Sequence, residues 1–470
     1  MTTQLPTAFV QQMEQLLGHD EANSLFEALS LPSPTSIRLN PFKWPRIEQS
    51  ALPPHTNAVP WAIDAYYLAT RPTFTTDPLL HAGAYYVQEA SSMAITAVAS
   101  LLPNAPITAL DLCAAPGGKS TLWRSILPEG SLLIANEPLP QRAHILSENI
   151  TKWGHTDIAV TNNYPADFAP LIGCFDLIAT DVPCSGEGMF RKDATAIAHW
   201  SEANVATCYT RQRTIIEDIW PSLRTGGLLV YSTCTYNRYE DEDNVRYICD
   251  KLGAEPIALP LPETSTGILR DADGHGLPFY HFYPHRTKGE GFFLAVLRKT
   301  ANTPTPKASK SKGKSVAVAP KRVIDELSPW INHPTNYTWR ATTSEVWIEP
   351  REHTAIFELI YKYLRIIQCG TPIATYTGKR WQPAHALAMA TTALHTDAFP
   401  RHAVDGATAL AYLRAEALIL PPNIARGYVL LTYRGLPLGF VNNLGTRANN
   451  LYPDAWRIRS IHATEVTHVL

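Results

Sequence analysis

The stretch Ile107-Thr-Ala-Leu-Asp-Leu-Cys-Ala-Ala-Pro-Gly-Gly-Lys-Ser120 determines the fold of the chain around it. Its first five residues form an apolar run typical of a buried strand, two glycines follow, and a helical pattern continues to about Ile126. A glycine turn that follows a strand and opens a helix is the context in which such a motif binds a nucleotide-like cofactor. Small residues let the backbone approach a ligand closely, and the N–H groups at the helix start favour a carboxylate. We therefore predict a cofactor loop over residues 113–119.

Strands and helices alternate on the C-terminal side of this loop. Predicted helices cover residues 120–126, 140–153 and 205–223, and predicted strands cover 131–135, 158–160, 175–181, 226–232 and 291–298. This alternation predicts a mostly parallel, doubly wound α/β sheet whose functional loops lie at the carboxyl ends of its strands. On the N-terminal side, apolar spacing predicts helices over residues 5–30 with a break at Gly18, a strand at 36–40 and a helix at 88–100.

The glycine turn does not have the spacing of a phosphate-binding loop, in which four residues separate a first glycine from Gly-Lys-Ser/Thr. Cys113 occupies the position of that first glycine, so a phosphate-binding loop is disfavoured. Glu137 follows the next predicted strand, where a carboxylate can accept hydrogen bonds from both ribose hydroxyls of a nucleoside. An isolated acid at a strand end would be interpreted as a surface residue, but beside this loop we expect Glu137 to bind the cofactor.

Two loops that follow predicted strands each carry a cysteine. Cys184 lies in Thr180-Asp-Val-Pro-Cys-Ser-Gly-Glu-Gly188, and Cys234 lies in Tyr231-Ser-Thr-Cys-Thr235. A cofactor loop followed by two such thiols indicates covalent chemistry on a group that the cofactor alone cannot modify. Cytosine alkylated at carbon 5 fits, because a thiolate added at carbon 6 makes carbon 5 nucleophilic enough to attack a sulfonium methyl group. An unperturbed thiol has a pKa of about 8.5, so we expect the site to lower that pKa.

Other polar residues of these loops are candidates for contacts to the base. Asp181 is placed to bind the exocyclic amine or to share a proton at ring nitrogen 3. Lys119 either orients that carboxylate, touches the base or faces water. Cys113 either packs beneath the loop or contacts the ligand through its backbone. We expect the remaining cysteines to be small core residues: Cys174, Cys208, Cys249 and Cys369.

Composition limits the class of protein. A chain of 470 residues with 45% hydrophobic residues is expected to form two or three domains. Its formal charge of −2 requires any RNA-binding surface to arise from local clustering of basic residues. The seven cysteines include no Cys-x-x-Cys pair, so we expect neither a zinc site nor a disulfide scaffold. The N-terminus has no signal-peptide pattern, and no apolar run is long enough to span a membrane, so we expect a cytoplasmic protein.

The pattern changes after residue 300. Residues 300–322 carry six lysines and arginines, no acid and few apolar residues, which predicts a flexible linker that can also contact phosphate. We predict a separate α+β unit over residues 323–470, with two strands around a turn at Arg434-Gly435. This part of the sequence shows no catalytic constellation.

At these motifs the chain resembles the Sun family of S-adenosylmethionine-dependent RNA 5-methylcytosine methyltransferases. Its Gly186-Glu-Gly-Met-Phe190 extension and its C-terminal unit look like the RsmF branch of that family. The resemblance covers about residues 30–300 and rests on Arg38-Leu-Asn40, Gln88-Glu-Ala-Ser-Ser92, Cys113–Lys119, Asp181-Val-Pro-Cys-Ser-Gly-Glu-Gly-Met-Phe190 and Ser232-Thr-Cys-Thr235. It implies an N-terminal α+β RNA-binding extension (1–85), a Rossmann-like class I methyltransferase domain (86–299), the basic linker (300–322) and a C-terminal α+β PUA-like RNA-binding domain (323–470).

The resemblance also implies roles for individual residues. Cys234 is the nucleophile, and Cys184 assists proton removal and release. The implied cofactor and base site consists of Cys113, Ala114, Ala115, Pro116, Gly117, Gly118, Lys119, Glu137 and Asp181. The sequence departs from some relatives after the third strand, where Asn162-Asn-Tyr-Pro165 replaces an acid near the adenine, so we assign no adenine contact.

These observations favour a monomeric cytosine-5 methyltransferase acting on 16S rRNA or the small ribosomal subunit. A tRNA substrate is the alternative within the same chemistry. A DNA cytosine methyltransferase would use Cys184 as nucleophile and would leave Cys234 unexplained. A non-catalytic RNA-binding or assembly protein would give no reason for a pair of loop thiols.

Overall fold

The structure is a computed structural model that describes residues 5–47, 56–262, 266–270, 276–303, 316–460 and 465–470. The N-terminal part begins with helices α1 (Thr7–Leu17) and α2 (His19–Leu29), which Gly18 separates at φ +83° as predicted. Four strands follow, β1 (Thr35–Leu39), β2 (Asn57–Ala58), β3 (Ala65–Leu68) and β4 (Tyr85–Val87), with helix α3 (Pro78–His81) between the last two. They form an antiparallel sheet in the order β2-β3-β1-β4.

The central part contains the predicted α/β alternation, although the helix expected at 88–100 is a 3₁₀ helix, Ser91–Leu101. Its strands are β5 (Thr108–Asp111), β6 (Leu132–Asn136), β7 (Ile158–Thr161), β8 (Phe175–Asp181), β9 (Leu223–Thr233), β10 (Ala254–Ile257), β11 (Leu269–Arg270), β12 (Phe279–Phe282) and β13 (Phe292–Lys299). Its helices are α4 (Gly118–Ile126), α5 (Pro140–Trp153), α6 (Ala194–His199), α7 (Glu202–Ile219) and α8 (Glu242–Tyr247), and a π-helical turn covers Ile248–Gly253.

The central sheet is parallel over β7-β6-β5-β8-β9 and becomes antiparallel at β13, against which β10 and β12 pair. Neighbouring strands β8 and β9 are aligned so that Asp181 lies opposite Ser232. The two strands therefore end at the same level of the sheet. Consequently the loops that carry Cys184 and Cys234 start side by side at the carboxyl edge, as the alternation predicts.

The C-terminal part adds two small sheets. The elements are α9 (Lys321–Leu327), β14 (Tyr337–Ala341), β15 (Glu345–Pro350), α10 (Thr354–Tyr363), β16 (Ile366–Cys369), β17 (Thr371–Tyr376), β18 (Trp381–Pro383), α11 (His385–Met389), β19 (Arg401–Ala403), α12 (Gly406–Leu413), β20 (Gly427–Tyr433), β21 (Leu436–Asn443) and β22 (Ala448–Asn450). One sheet has the order β14-β15-β17-β18, and the other has the order β19-β20-β21-β22. Hairpin β20–β21 turns at Arg434-Gly435, which confirms the prediction.

The prediction of a separate C-terminal unit is wrong in one respect. Strand β16 pairs antiparallel with β7 and so extends the central sheet beyond its parallel edge. Helix α10 packs with it, and Phe357 is fully buried in the same apolar cluster as Leu110 and Ile134 of the central strands. Residues 354–369 are thus part of the core of the α/β domain.

The predicted linker differs from the structure at its C-terminal end. Residues 304–315, which include four of its lysines, lie outside the described residues. Val318 forms a β-bridge with Arg340, Ala319 is buried, and α9 begins at Lys321. The boundary predicted at residue 323 therefore falls inside a helix that packs with the C-terminal part. Among the described residues, no helix combines the length and apolar character that crossing a membrane requires.

Substitution of Phe357 tests whether residues 354–369 belong to the central core. We expect Phe357→Ala to lower the free energy of unfolding by about 3–5 kcal/mol, because it opens a cavity in a packed interior. Hydrogen exchange should accelerate in β5 and β7 as well as in α10. The control Ile419→Ala alters a side chain that is 82% exposed and should change stability by less than about 0.5 kcal/mol. Unchanged exchange in β5 and β7 would contradict the shared core.

Candidate active site

The predicted cofactor loop connects β5 to α4. The N–H of Ala114 donates to the carbonyl of Asn136 (2.8 Å), which fixes the loop against the end of β6. Gly117 has φ +117°, a conformation that side-chain-bearing residues rarely adopt. A Cβ atom on Gly118 would lie 3.2 Å from the Tyr86 ring. The glycines therefore serve both the turn and the close packing of its surroundings.

A cavity of about 370 Å³ opens beside this loop, between the N-terminal sheet and the carboxyl edge of the central sheet. Its lining includes most of the predicted site residues: Cys113, Ala114, Ala115, Pro116, Gly118, Lys119, Asp181 and Cys234. Gly117, Glu137 and Cys184 do not line it. Gln88 and Met189, which belong to quoted motifs but were assigned no role, also line it, and so do Tyr86, Lys192, Glu290 and Phe292, which the sequence analysis did not single out.

Glu137 stands directly behind the cofactor loop and is 2% exposed. One of its carboxylate oxygens accepts a hydrogen bond from the N–H of Leu139 (3.0 Å). The other lies 3.6 Å from Nη1 of Arg142, whose Nη2 donates to the carbonyl of Ala115 (2.9 Å). Arg142, which sequence reasoning did not identify, therefore links Glu137 to the loop.

The two predicted thiols meet. The Sγ atoms of Cys184 and Cys234 are 3.1 Å apart, and only Cys234 lines the cavity. The hydrogen bond to Cys234, burial and the nearby Glu240 carboxylate together raise the pKa of the Cys184 thiol well above its usual value. The raised pKa keeps Cys184 protonated beside Cys234, and either sulfur can be the donor in their contact. The lowered pKa expected of the attacking thiol stays a prediction.

Asp181 and Lys119 form an ion pair beside Cys234. Lys119 Nζ is 2.8 Å from Asp181 Oδ2, and the Ser232 hydroxyl donates to Oδ1 (3.0 Å). Burial lowers the pKa of Lys119, but the Asp181 carboxylate and its hydrogen bond outweigh that effect and raise it overall. Lys119 is thus a fixed positive charge, and it lies 5.4 Å from the centre of the Phe292 ring. Of the alternatives open for Lys119, the structure places it on the Asp181 carboxylate.

Buried Glu187 holds the two cysteine loops together, and sequence reasoning assigned it no role. Each of its oxygens accepts hydrogen bonds from protein donors: Gln12 Nε2 (3.1 Å), Trp200 Nε1 (3.0 Å), Thr235 Oγ1 (2.7 Å), the Tyr236 N–H (2.7 Å) and Asn237 Nδ2 (3.2 Å). Three of these donors come from the loop that contains Cys234. Glu187 belongs to the Ser-Gly-Glu-Gly motif that the sequence analysis quoted, but the motif does not show which groups its carboxylate contacts.

A second buried carboxylate, Glu240, crosses between the same loops. It accepts hydrogen bonds from the Ser185 N–H (3.0 Å), from Gln212 Nε2 (2.6 Å) and from Asn237 Nδ2 (2.8 Å). Burial raises the pKa of Glu240, and the hydrogen bonds from Ser185 and Asn237 oppose the rise. No local sequence pattern marks this residue, because its partners lie on three separate segments.

The segment that departs from some relatives is also organised by the C-terminal part. Asn162 is buried and donates through Nδ2 to the carbonyls of Glu137 (2.8 Å) and Pro138 (2.9 Å). Its own N–H donates to the carbonyl of Arg365 (2.9 Å), just before β16. Asn163 exchanges two further hydrogen bonds with the Arg365 backbone. These asparagines shape the end of β7, and the adenine contact remains unassigned.

The remaining cysteines pack as predicted. Cys208 and Cys369 are buried, and Cys174 and Cys249 pack against the apolar core. Cys113 packs against that core and also lines the cavity, and the contact of its backbone with the ligand stays a prediction. The described part of the chain contains no group of three or more His, Cys, Asp and Glu side chains placed to hold a metal ion.

A parallel sheet in the order β7-β6-β5-β8-β9, an antiparallel β13 and a glycine loop after β5 are typical of the class I methyltransferase fold. Family models match three segments: 16S rRNA methyltransferase RsmB/F over residues 98–298, the N-terminal domain of 16S rRNA methyltransferase RsmF over 5–90, and the methyltransferase RsmF PUA domain over 399–458. Proteins named ribosomal RNA small subunit methyltransferase F from Erwinia tasmaniensis and Salmonella paratyphi A are 30% and 31% identical to this chain. Their alignments cover 95% of this chain and 96% and 95% of those relatives. The chain belongs to the RsmF branch of the RsmB/F family of 16S rRNA methyltransferases, which confirms the resemblance.

Solved structures confirm the fold class. A methyltransferase homolog protein from Pyrococcus horikoshii is 26% identical, with a TM-score of 0.53 over 63% of this chain and 95% of that protein. NSun6 from Pyrococcus horikoshii with SFG is 20% identical, with a TM-score of 0.54 over 64% of this chain and all of that one. At that identity the second likeness concerns the fold alone.

The Asp111 carboxyl beneath the loop gives a pH-dependent prediction. Burial raises its pKa to about 7, against a hydrogen bond from the Ser120 hydroxyl (2.6 Å) that lowers it. Between pH about 4 and 7 the folded protein therefore holds a proton that the unfolded chain releases, so this group's contribution to stability is lost as pH rises. We expect the unfolding free energy of Asp111→Asn, relative to the parent, to increase over that range and level off above it. Denaturant titrations at several pH values measure the difference, and a flat difference would contradict the prediction.

Removal of the Glu187 carboxylate tests its role in holding the cysteine loops. Glu187→Ala leaves buried donors without an acceptor, so we expect stability to fall by about 3 kcal/mol or more. Glu187→Gln keeps the shape but turns an amide N–H₂ toward donors, and it should also lower methyl transfer in folded protein. The control Glu202→Ala removes an exposed acid and should cost less than about 1 kcal/mol. Wild-type stability in Glu187→Ala would refute this role.

Proposed function

We propose that this protein transfers a methyl group from S-adenosylmethionine to carbon 5 of cytosine in 16S rRNA, through a transient bond between Cys234 and carbon 6. One observation carries the proposal. Cys234 lines a cavity between the cofactor loop and Asp181, and a second thiol lies 3.1 Å from its sulfur. A site with two loop thiols beside a cofactor loop suits a reaction that needs both a nucleophile and a later proton acceptor.

The residues around the cavity fit S-adenosylmethionine. Helix α4 begins at Gly118, so its first N–H groups can bind the amino-acid carboxylate. Glu137 lies behind the loop and does not line the cavity, so we propose that it reaches the ribose hydroxyls at the end of β6, where a carboxylate oxygen 3.6 Å from the Arg142 guanidinium keeps capacity for another hydrogen bond. When bound, S-adenosylmethionine supplies an electrophilic methyl group.

Cys234, Asp181 and Cys184 act in successive steps of the proposed reaction. Cys234 adds to carbon 6 as a thiolate, while Asp181, held by Lys119 and Ser232, accepts a hydrogen bond from the exocyclic amine of cytosine or shares a proton with its ring nitrogen 3. Once its sulfur is bonded to carbon, Cys234 no longer accepts the Cys184 hydrogen bond. Loss of the Cys234 hydrogen bond and charge removes two causes that raise the pKa of Cys184, so Cys184 can release its proton to bulk water and accept the proton from carbon 5, after which Cys234 leaves as a thiolate. The close contact of the two sulfur atoms supports this sequence.

The family supports the substrate that we propose. Relatives named for the small ribosomal subunit favour 16S rRNA over tRNA, and the PUA-domain match over residues 399–458 supports RNA as the partner. We also propose that the protein acts as a monomer in the cytoplasm. Because the base must leave its stack to reach Cys234, we expect cytosines in single-stranded or loop regions to be modified.

Substitution of each thiol separates their roles. We expect Cys234→Ala to form no covalent RNA adduct, and we expect Cys184→Ala to form the adduct but fail to release it. Denaturing gels of protein mixed with cofactor and rRNA detect the adduct, and Cys174→Ala, away from the cavity, should behave like the parent. Bisulfite sequencing of rRNA and tRNA from a deletion strain identifies the substrate. Adduct formation that required Cys184 and not Cys234 would overturn the assignment of the nucleophile.

A further inference from the structure

A second cavity, of about 670 Å³, lies between the N-terminal part and the α/β domain. We call it the basic groove. Residues 31–35 and 68–71 form one side of it, and Arg191 with residues 284–288 forms the other. Its lining contains four Lys and Arg side chains and no Asp or Glu: Arg71, Arg191, Arg286 and Lys288. Since the whole chain has a formal charge of −2, this positive charge is a local concentration.

The basic groove adjoins the active-site cavity. Glu290 lines the active-site cavity, and its Oε1 lies 3.6 Å from Nη1 of Arg191, which lines the groove. The Ser33 hydroxyl, also in the groove, donates to the same oxygen. Lys192 lines the active-site cavity next to Arg191 in the chain. One thin wall of side chains therefore separates the two cavities.

Two of the basic side chains, Lys288 and Arg71, form no ion pair with a carboxylate of the described residues. Lys288 Nζ lies 4.5 Å from the centre of the Tyr67 ring, and the Arg71 guanidinium lies 5.6 Å from the centre of the Phe74 ring. Both side chains are exposed. A ring restrains a cation without neutralising it. By contrast, Arg286 pairs with Glu21, so much of its charge is compensated.

We propose that the basic groove binds the phosphate backbone of the single-stranded RNA segment next to the target cytosine, chiefly through Arg71 and Lys288. This inference rests on the proposed function. A base that enters the active site must leave its stack, and the strand beside it then needs a path across the protein surface. A groove that adjoins the site and carries uncompensated positive charge offers that path to phosphates.

Salt-dependent binding tests the proposal. The probe is a single-stranded oligoribonucleotide with one cytosine, and the proteins are full chains of the parent, Arg71→Ala and Lys288→Ala. Each substitution should reduce the magnitude of the slope of log K against log salt by about 0.7, as expected for one lost phosphate contact on a single strand. Lys288→Arg and Arg71→Lys should restore most of the slope. Lys251→Ala removes an exposed lysine near the amino end of β9, far from both cavities, and should match the parent.

Two results would overturn the proposal. In the first, the slopes of Arg71→Ala and Lys288→Ala equal that of Lys251→Ala. In the second, with polyglutamate as an additional probe, the two variants lose binding to this acidic peptide but bind the oligoribonucleotide like the parent. Methyl transfer to the same probe, measured separately, distinguishes this inference from the proposed function. Transfer to carbon 5 with unchanged slopes removes the groove inference alone. Reduced slopes without transfer to carbon 5 by the parent would leave the groove as an RNA site and remove the proposed chemistry.

Discussion

The register between the parallel strands β8 and β9 is the constraint on which the active site depends. Asp181 lies opposite Ser232, so the loops that follow leave the sheet at the same level. A shift of one residue would turn alternate side chains to the other face and separate the groups that now touch. The contact of the Cys184 and Cys234 sulfur atoms, the ion pair of Asp181 and the opening of the cavity all follow from this alignment.

The strand register brings the loops together, and buried carboxylates then fix their shape. Glu187 and Glu240 are fully buried, and protein donors surround both. Removing a carboxylate from water is costly, so such a group is tolerated only when its hydrogen bonds are satisfied. The same requirement makes the geometry specific, because any other loop arrangement would leave a buried charge without partners. Glu187 and Glu240 thus fix the relative position of Cys184 and Cys234, although neither carboxylate lines the cavity.

The sequence allowed the α/β core and the location of the site to be predicted because these depend on local patterns. Apolar runs and the glycine turn near residue 117 predict strands and helices, and parallel strands place their loops at one edge. Contacts between segments distant in the chain were not predictable in this way. The link from Arg142 to Glu137, the role of Glu240 and the pairing of β16 with β7 each join segments whose spacing carries no periodic signal. The identity of the site residues came from motif resemblance, and the structure added how they are held.

Strand β16 has a consequence for how this family member can be divided or recombined. Because it covers the outer edge of β7, a chain that ended after the α/β residues would expose a row of unpaired backbone N–H and C=O groups. Open strand edges of this kind promote association between molecules. The C-terminal part and the α/β domain are therefore not independent modules. A recombination at residues 300–322 that exchanged the C-terminal part would leave the central sheet without β16, unless the new segment supplied an equivalent strand.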